Sequence, residues 1–343
     1  MKFGSVLIAI LFMGMLSSCS KSSSTNYGSG TITPTNLSVS ALVNPDNSGN
    51  VSFTASANNA VSYDFDYGNG VFQTVVSGVL TYKYPASGTY TVNVIAKGSS
   101  GQTISQSIQV TVTVVLVLVW SEEFNMPGSP DPSKWGYDIG AGGWGNAELE
   151  YYTNRTDNAF VSGGTLKITA KAENYLGSSY TSARLLTKDK FSFKYGKIEI
   201  SAKLPAGAGT WPATWMLGNN FLTVGWPACG EIDIMEHRGI ELNKIFGTLH
   251  YPGHSGSNAD GSTVMISNAT TAFHKYAVEW TAATIKFSVD DVVYKTFVNS
   301  NAVPFNQNFF VILNVAMGGN FGGTVDPAFT TATMEVDYVR VYN

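Results

Sequence analysis

Two cysteines in 343 residues are too few for a disulfide framework. Only 13% of the residues are charged and the formal net charge is −4, so no basic surface is available to neutralise a phosphate backbone, and a nucleic-acid partner is excluded. No Cys/His cluster has the spacing of a zinc site. No phosphate loop of the GxxxxGK[ST] type occurs. Long Glu/Lys/Leu stretches and long amphipathic patterns are missing too, which argues against a helical bundle. The apolar runs Val6 to Leu16 and Val114 to Trp120 are too short to cross a bilayer comfortably as permanent helices.

Abundant instead are Gly, Ser, Thr, Asn, Tyr and Phe, a composition that fits strands and tight turns. The length allows two domains, each with its own core. The expected fold class is therefore all-β.

The N-terminus reads as a targeting segment, residues 1–18. Lys2 precedes the apolar run, and Leu16-Ser17-Ser18-Cys19 follows it. An apolar residue, two small residues and a Cys resemble a bacterial lipobox. That resemblance implies cleavage before Cys19, lipidation of its thiol and a membrane partner held through the acyl chains. The implied location is an exported, membrane-anchored lipoprotein or a secreted protein. The Ser/Thr/Gly-rich residues 19–35 read as a flexible tether. Cys229, in an apolar stretch with no His nearby in sequence, reads as a small packed core residue.

From 36 to 115, short alternating segments are punctuated by Gly68-Asn69-Gly70 and Pro85-Ala86-Ser87-Gly88. Val51 to Ala55 and Thr89 to Ile95 are examples of these segments. This is the pattern of a small β-sandwich. Tyr63 to Gly70 and Tyr82 to Val92 resemble the polycystic-kidney-disease-type repeat domain, which implies an immunoglobulin-like spacer; sugar binding by it is the alternative. Val114 to Trp120 is expected to carry the last strand of this domain directly into the first strand of the next.

Residues 117–343 again alternate, as in Lys194 to Lys203, Ala277 to Trp280 and Val336 to Tyr342. Thr284 to Tyr294 reads as two strands joined at Asp290-Asp291. One large antiparallel sandwich is expected.

The segment Glu231-Ile232-Asp233-Ile234-Met235-Glu236 concentrates three acids. In a regular strand Glu231 and Asp233 share a face, and Glu236 points to the other. One extra residue, a β-bulge at Ile234-Met235, restores all three to one face, with Ile232 and one of Ile234 or Met235 turned to the core. Three like charges on one face are costly unless a cleft uses them. Two Glu side chains leaning inward from such a strand could bring their carboxyls to roughly 5–6 Å, near the spacing of about 5–5.5 Å used by retaining glycosidases; the estimate alone leaves inversion open. A solvent-facing acidic strand or a cation site would share the bare E-x-D-x-x-E pattern.

The flanking segments resemble glycoside hydrolase family 16, in its laminarinase-like members. They are Gly143 to Thr153, Ser182 to Lys188, Gly209 to Leu217, Trp226 to Glu231, Gly247 to His250, Asn314 to Asn320 and Val336 to Tyr342. The inserted Met235 matches the branch with the longer, bulged motif. The resemblance implies a β-jelly-roll of concanavalin A-like type with a cleft. It further implies a retaining mechanism with Glu231 as nucleophile, Glu236 as acid/base and Asp233 as supporting acid. The implied activity is endo-hydrolysis of β-1,3-glucan, with no cofactor for catalysis. Asn146, Arg184 and His250 match polar cleft positions, and Trp211, Trp215 and Trp226 flank the acids as candidate stacking faces for sugar. A structural calcium is implied at Glu123, a backbone carbonyl of Gly163 or Gly164, and Asp337. The chain is expected to act as a monomer. Mixed-linkage glucan, agarose, porphyran and carrageenan remain alternative substrates. A non-catalytic carbohydrate-binding surface protein remains the alternative of another class, distinguished by the loss of one acid.

Overall fold

The computed structural model describes residues 33–343. The leader, nearly all of the tether, and Cys19 lie outside the described residues. The chain that follows is almost entirely strand and turn; the only α-helical turns are Phe221–Val224 and Gly319–Gly322.

Seven strands between Thr35 and Val112 form a three-stranded and a four-stranded antiparallel sheet. Their alternating apolar residues close a core of their own, among them Val51, Phe53, Phe65, Tyr67, Tyr84, Val92 and Val94. The run after it behaves differently from expectation. The strand Thr103–Val112 ends before the run, and the next strand, Leu118–Glu122, opens at its end. Between them Val115 and Val117 are exposed; the Val115 N–H donates to Asn47 O, and Val117 exchanges two backbone hydrogen bonds with Asn343. The run is thus a short connection up to Val117 and then opens the first strand of the second set of sheets, Leu118–Glu122.

The remaining strands build a ten-stranded and a seven-stranded sheet. A single core lies between them. Ile198, Ile200, Tyr276, Val278, Trp280, Val336 and Val339 come from the larger sheet, and Ile232, Ile234, Val311, Leu313 and Val315 from the smaller. The turn at Asp290-Asp291 joins Thr284–Val289 to Val292–Val298, with φ of 49° and 66° at its two central residues. That is the left-handed pair a two-residue hairpin needs, and Asp tolerates it better than most residues.

The smaller sheet carries the cleft. In spatial order its strands are Asp260–Met265, Lys244–His250, Glu231–His237, Thr210–Gly218, Phe309–Met317, Arg184–Leu186 and Gly136–Asp138. Phe309–Met317 is buried at every position. Its odd-numbered side chains enter the main core. Phe310 and Ile312 on the other face join Leu186, Leu217 and Cys229 in a smaller apolar cluster. The same alternation sends Asn314 to the cleft. Cys229 is thus the packed core residue expected, and burial pushes its thiol up to about 11.

Trp280 is the largest anchor on the opposite sheet. It is 1% exposed, donates its indole N–H to Phe305 O at 3.0 Å and packs edge-on against Phe193, Tyr195 and Phe309. Trp280→Ala leaves a cavity and an orphaned carbonyl, and is expected to cost about 3–5 kcal/mol, read as a lower urea midpoint at unchanged slope.

Candidate active site

The strand Glu231–His237 must turn three acids one way and three apolar residues the other. It does so by breaking register. Toward Thr210–Gly218, Trp215 pairs with Asp233 and Thr214 with Met235, so Ile234 is the extra residue. Toward Lys244–His250, Asp233 pairs with Thr248 and Glu236 with Phe246, so two residues oppose Gly247 alone. This is the expected bulge, at the expected place. Ile232, Ile234 and Met235 all enter the core, where one of the last two was expected to stay out. Gly247, opposite the bulge, is required: a Cβ there would lie 2.2 Å from Tyr294 Oη and 2.8 Å from the Phe287 ring.

Glu231, Asp233 and Glu236 line one cleft of about 770 Å³ together with Asn146, Arg184, Trp211, Trp215, Trp226 and His250. All nine residues singled out for catalysis and substrate binding are therefore brought together. Glu236 accepts Trp211 Nε1–H on Oε1 at 3.1 Å and Thr248 Oγ1–H on Oε2 at 3.0 Å. Glu231 accepts Trp226 Nε1–H at 3.0 Å. His250 Nδ1 accepts the Gly256 N–H at 3.3 Å, which leaves its proton on Nε2, 3.2 Å from Asp233 Oδ2 and 3.7 Å from Glu231 Oε1. Both ring nitrogens are thus committed, which suits an orienting group and not a base. His237, which follows Glu236 in the strand, is fully buried, and burial lowers it to about 4, so it stays neutral.

Arg184 lies between two indoles, its guanidinium carbon 4.9 Å from the Trp144 ring centre and 4.8 Å from that of Trp215, with Nε 3.0 Å from Asp138 Oδ2. Trp226, 52% exposed, is the most open indole of the three flanking the acids. Trp211 packs on Phe321, and Trp215 donates to Asn314 Oδ1 at 2.8 Å. Sequence reasoning missed Trp144, Glu148, Thr248, Asn314, Asn320 and Phe321, which also line the cleft. Thr248 was within reach, because it shares strand parity with His250. Trp144, Glu148, Asn314 and Asn320 sit in segments already matched and Phe321 directly follows one, but nothing local says that those side chains face the acids.

The calcium ligands are placed differently from expectation. Both oxygens of Glu123 accept from the Arg340 guanidinium, at 3.0 and 2.7 Å, and Asp337 accepts from Ser201 Oγ at 3.3 Å. Gly164 sits in the turn before Thr165–Tyr175, near Asp337 through the pairing of Leu166 with Val336. Among the described residues, the one cluster of acids and histidine compact enough for an ion is Glu231, Asp233 and His250 in the cleft. A cation beside Asp337 would have to displace Arg340 from Glu123, so the residues present do not form a ready cage.

Burial raises all three cleft acids above the ordinary carboxylate range. Repulsion by Asp233 raises Glu231 further, and repulsion by Glu236 raises Asp233. For Glu236 the Thr248 hydrogen bond, His250 and the Trp211 hydrogen bond pull the other way. The cleft thus retains protons at a pH where free carboxyls have lost them. That is the state in which one carboxyl can be an acid while another is a nucleophile.

Paired acids on a bulged strand, in an aromatic-lined cleft on a β-sandwich, define the machinery of glycosidic bond cleavage. The family model for glycosyl hydrolases family 16 matches residues 146–340, and the chain belongs to that family. It is 48% identical over 241 residues to the β-glucanase of Rhodothermus marinus, a match covering 66% of this chain and 84% of that protein. Its fold is similar to the X-ray structure of the laminarinase from the same organism, with TM-score 0.65 and 47% identity over 67% of this chain and 98% of that one. Glucan endo-1,3-β-glucosidase A1 of Niallia circulans is 39% identical over 66% of this chain, which spans 37% of that longer protein.

A raised carboxyl binds protons in the folded state that the unfolded chain has released by about pH 4. Stability from these groups is therefore full at acidic pH and falls as pH rises through their raised values. Asp233→Asn removes one buried charge and the repulsion it exerts. Its melting temperature is expected to drop less between pH 5 and pH 9 than that of the unaltered protein, by roughly 2–4 °C per kcal/mol relieved. Parallel melting curves for the two proteins would contradict the repulsion.

Proposed function

We propose that this protein is a retaining, endo-acting hydrolase of β-1,3-glucan. The observation that carries the reading is the bulged strand that sets Glu231, Asp233 and Glu236 in one cleft beside three indoles. The relatives named as β-glucanase and endo-1,3-β-glucosidase support the substrate.

A Glu231 oxygen attacks the anomeric carbon as the bond to the leaving oxygen breaks, and that oxygen takes the proton of Glu236. Glu236, now ionised, then takes a proton from water. The hydroxide so generated adds to the anomeric carbon and releases the Glu231 carboxylate, restoring both groups with the configuration retained. Trp226 Nε1–H holds Glu231, and the Nε2–H of His250 faces Asp233 and Glu231 at 3.2 and 3.7 Å. Trp211 and Thr248 fix the Glu236 carboxyl. The exposed Trp226 face offers a surface for the apolar side of a sugar ring. No step calls for a metal.

Incubation with laminarin, lichenan, agarose and xyloglucan, followed by reducing-end measurement, is expected to give greatest release from laminarin. Absence of hydrolysis on every β-1,3-containing glucan would sink the assignment. Glu231→Gln is expected to abolish turnover with fold and sugar binding kept. Glu236→Gln is expected to lower kcat on laminarin by about 10²–10⁴-fold. NMR of the first product should report the retained anomer.

The proposal extends to the N-terminus: export through residues 1–18, lipidation of Cys19, and an immunoglobulin-like spacer of the polycystic-kidney-disease type between anchor and enzyme. The lipobox-like Leu16-Ser17-Ser18-Cys19 supports the anchor. Labelled fatty acid is expected to enter the expressed protein and to be lost in Cys19→Ala; unchanged labelling would remove the anchor.

A further inference from the structure

Behind the cleft floor lies a second pair of acids that hydrolysis does not use. Glu148 and Glu150 are two residues apart at the entry to the strand Glu150–Tyr152. Glu150 is completely buried and Glu148 nearly so. Glu148 lines both the cleft and a second cavity of about 400 Å³, which Glu150 also lines.

Each oxygen of Glu148 already accepts a neutral donor, Asn146 Nδ2 at 3.1 Å and Tyr152 Oη at 2.8 Å. Glu150 Oε2 accepts the Met317 N–H at 2.6 Å. Its Oε1 has no donor among the described residues. An ionised carboxylate with a bare buried oxygen, beside a second carboxylate, is costly. A proton on that oxygen, directed at Glu148, removes both costs.

The neighbours decide which acid is ionised. An indole N–H can only donate, so Trp215 makes Asn314 Oδ1 the acceptor at 2.8 Å and leaves Asn314 Nδ2 to donate to Tyr152 Oη at 3.0 Å. The tyrosine hydroxyl then gives its own proton to Glu148. Every link in this chain runs toward Glu148. Burial, followed by the Glu148 charge, holds the Glu150 carboxyl well above its usual range. Burial and the two acids likewise keep Tyr152 a hydroxyl, against the opposing effect of Arg184.

We propose that Glu148 and Glu150 share one proton carried by Glu150, and that this pair positions Asn146 and Trp215 for the glucan chain. The proposal rests on the reading of the cleft as a glucan site. Glu148 and Glu150 are positioning residues, acting through Asn146 and through Tyr152, Asn314 and Trp215.

Three variants of the full chain test it. Glu150→Gln keeps an oxygen for Met317 and an N–H for Glu148, so KM for laminarin is expected to stay within about twofold. Glu150→Leu and Tyr152→Phe are expected to raise KM about tenfold with kcat within about threefold, the signature of lost uniform binding. The infrared difference between the unaltered protein and Glu150→Gln at pH 7 is expected to contain the carbonyl band of a protonated carboxyl. Equal KM losses in Glu150→Gln and Glu150→Leu would mean that an ionised carboxylate is required, and would overturn the proposal. So would a missing carboxyl band, or a melting temperature raised by calcium in the unaltered protein and not in Glu150→Gln, which would put a cation where the proton is assigned. Should Glu150→Leu fail to fold, Tyr152→Phe still reads the chain, and an unchanged KM there overturns it. The infrared and melting measurements need no turnover, so a wrong substrate shows in the polysaccharide panel alone.

Discussion

One strand carries two incompatible demands. Glu231 to His237 has to supply a packed layer to the core and a charged layer to the cleft, and seven residues with strict alternation cannot place Glu231, Asp233 and Glu236 together. The bulge resolves the conflict by adding a residue on the core side. Its neighbours adjust to it. Gly247 leaves room opposite, Thr214 pairs across the extra residue, and Ile234 and Met235 both find apolar partners. A strand so constrained has little freedom to slip, because any shift of register would bury charge and expose Ile and Met.

Carboxylates gathered on such a strand repel and are poorly hydrated, so the cleft has to supply neutral donors. Tryptophan does this. Trp211, Trp215 and Trp226 each give an indole N–H to a cleft acceptor, namely Glu236, Asn314 and Glu231. The same rings line the cleft that would hold sugar. Orientation of the acid and stacking of the substrate are therefore two uses of one side chain, which couples binding to chemistry through rigid groups. The Glu148–Glu150 pair behind the floor follows the same economy of charge, with neutral donors meeting one ionised acid.

Chemistry and scaffold are divided between the sheets. The seven-stranded sheet presents the acids, and the ten-stranded sheet closes the core beneath them with Trp280, Tyr276 and Phe287. At its edge Arg340 holds Glu123 with two hydrogen bonds, joining Leu118–Glu122 to Thr331–Tyr342.

The all-β class, the hairpin at Asp290-Asp291, the bulge and the three acids were legible in the sequence, because alternation and turn chemistry act between neighbours along the chain. The cleft tryptophans were legible as candidates through their place beside the acids. What local pattern could not reach was pairing across distance. Val114 to Trp120 reads as one strand running into the next, and only the arrangement of sheets decides that Thr103–Val112 stops before it and Leu118–Glu122 starts within it. Glu123 and Arg340 are 217 positions apart, and nothing near either residue announces the other. Thr248 on Glu236 and Asn314 between Trp215 and Tyr152 depend in the same way on which strands lie side by side. Composition and parity set which face each acid takes; the donors that make those acids tolerable and reactive come from other strands, and only tertiary folding brings them within hydrogen-bond reach.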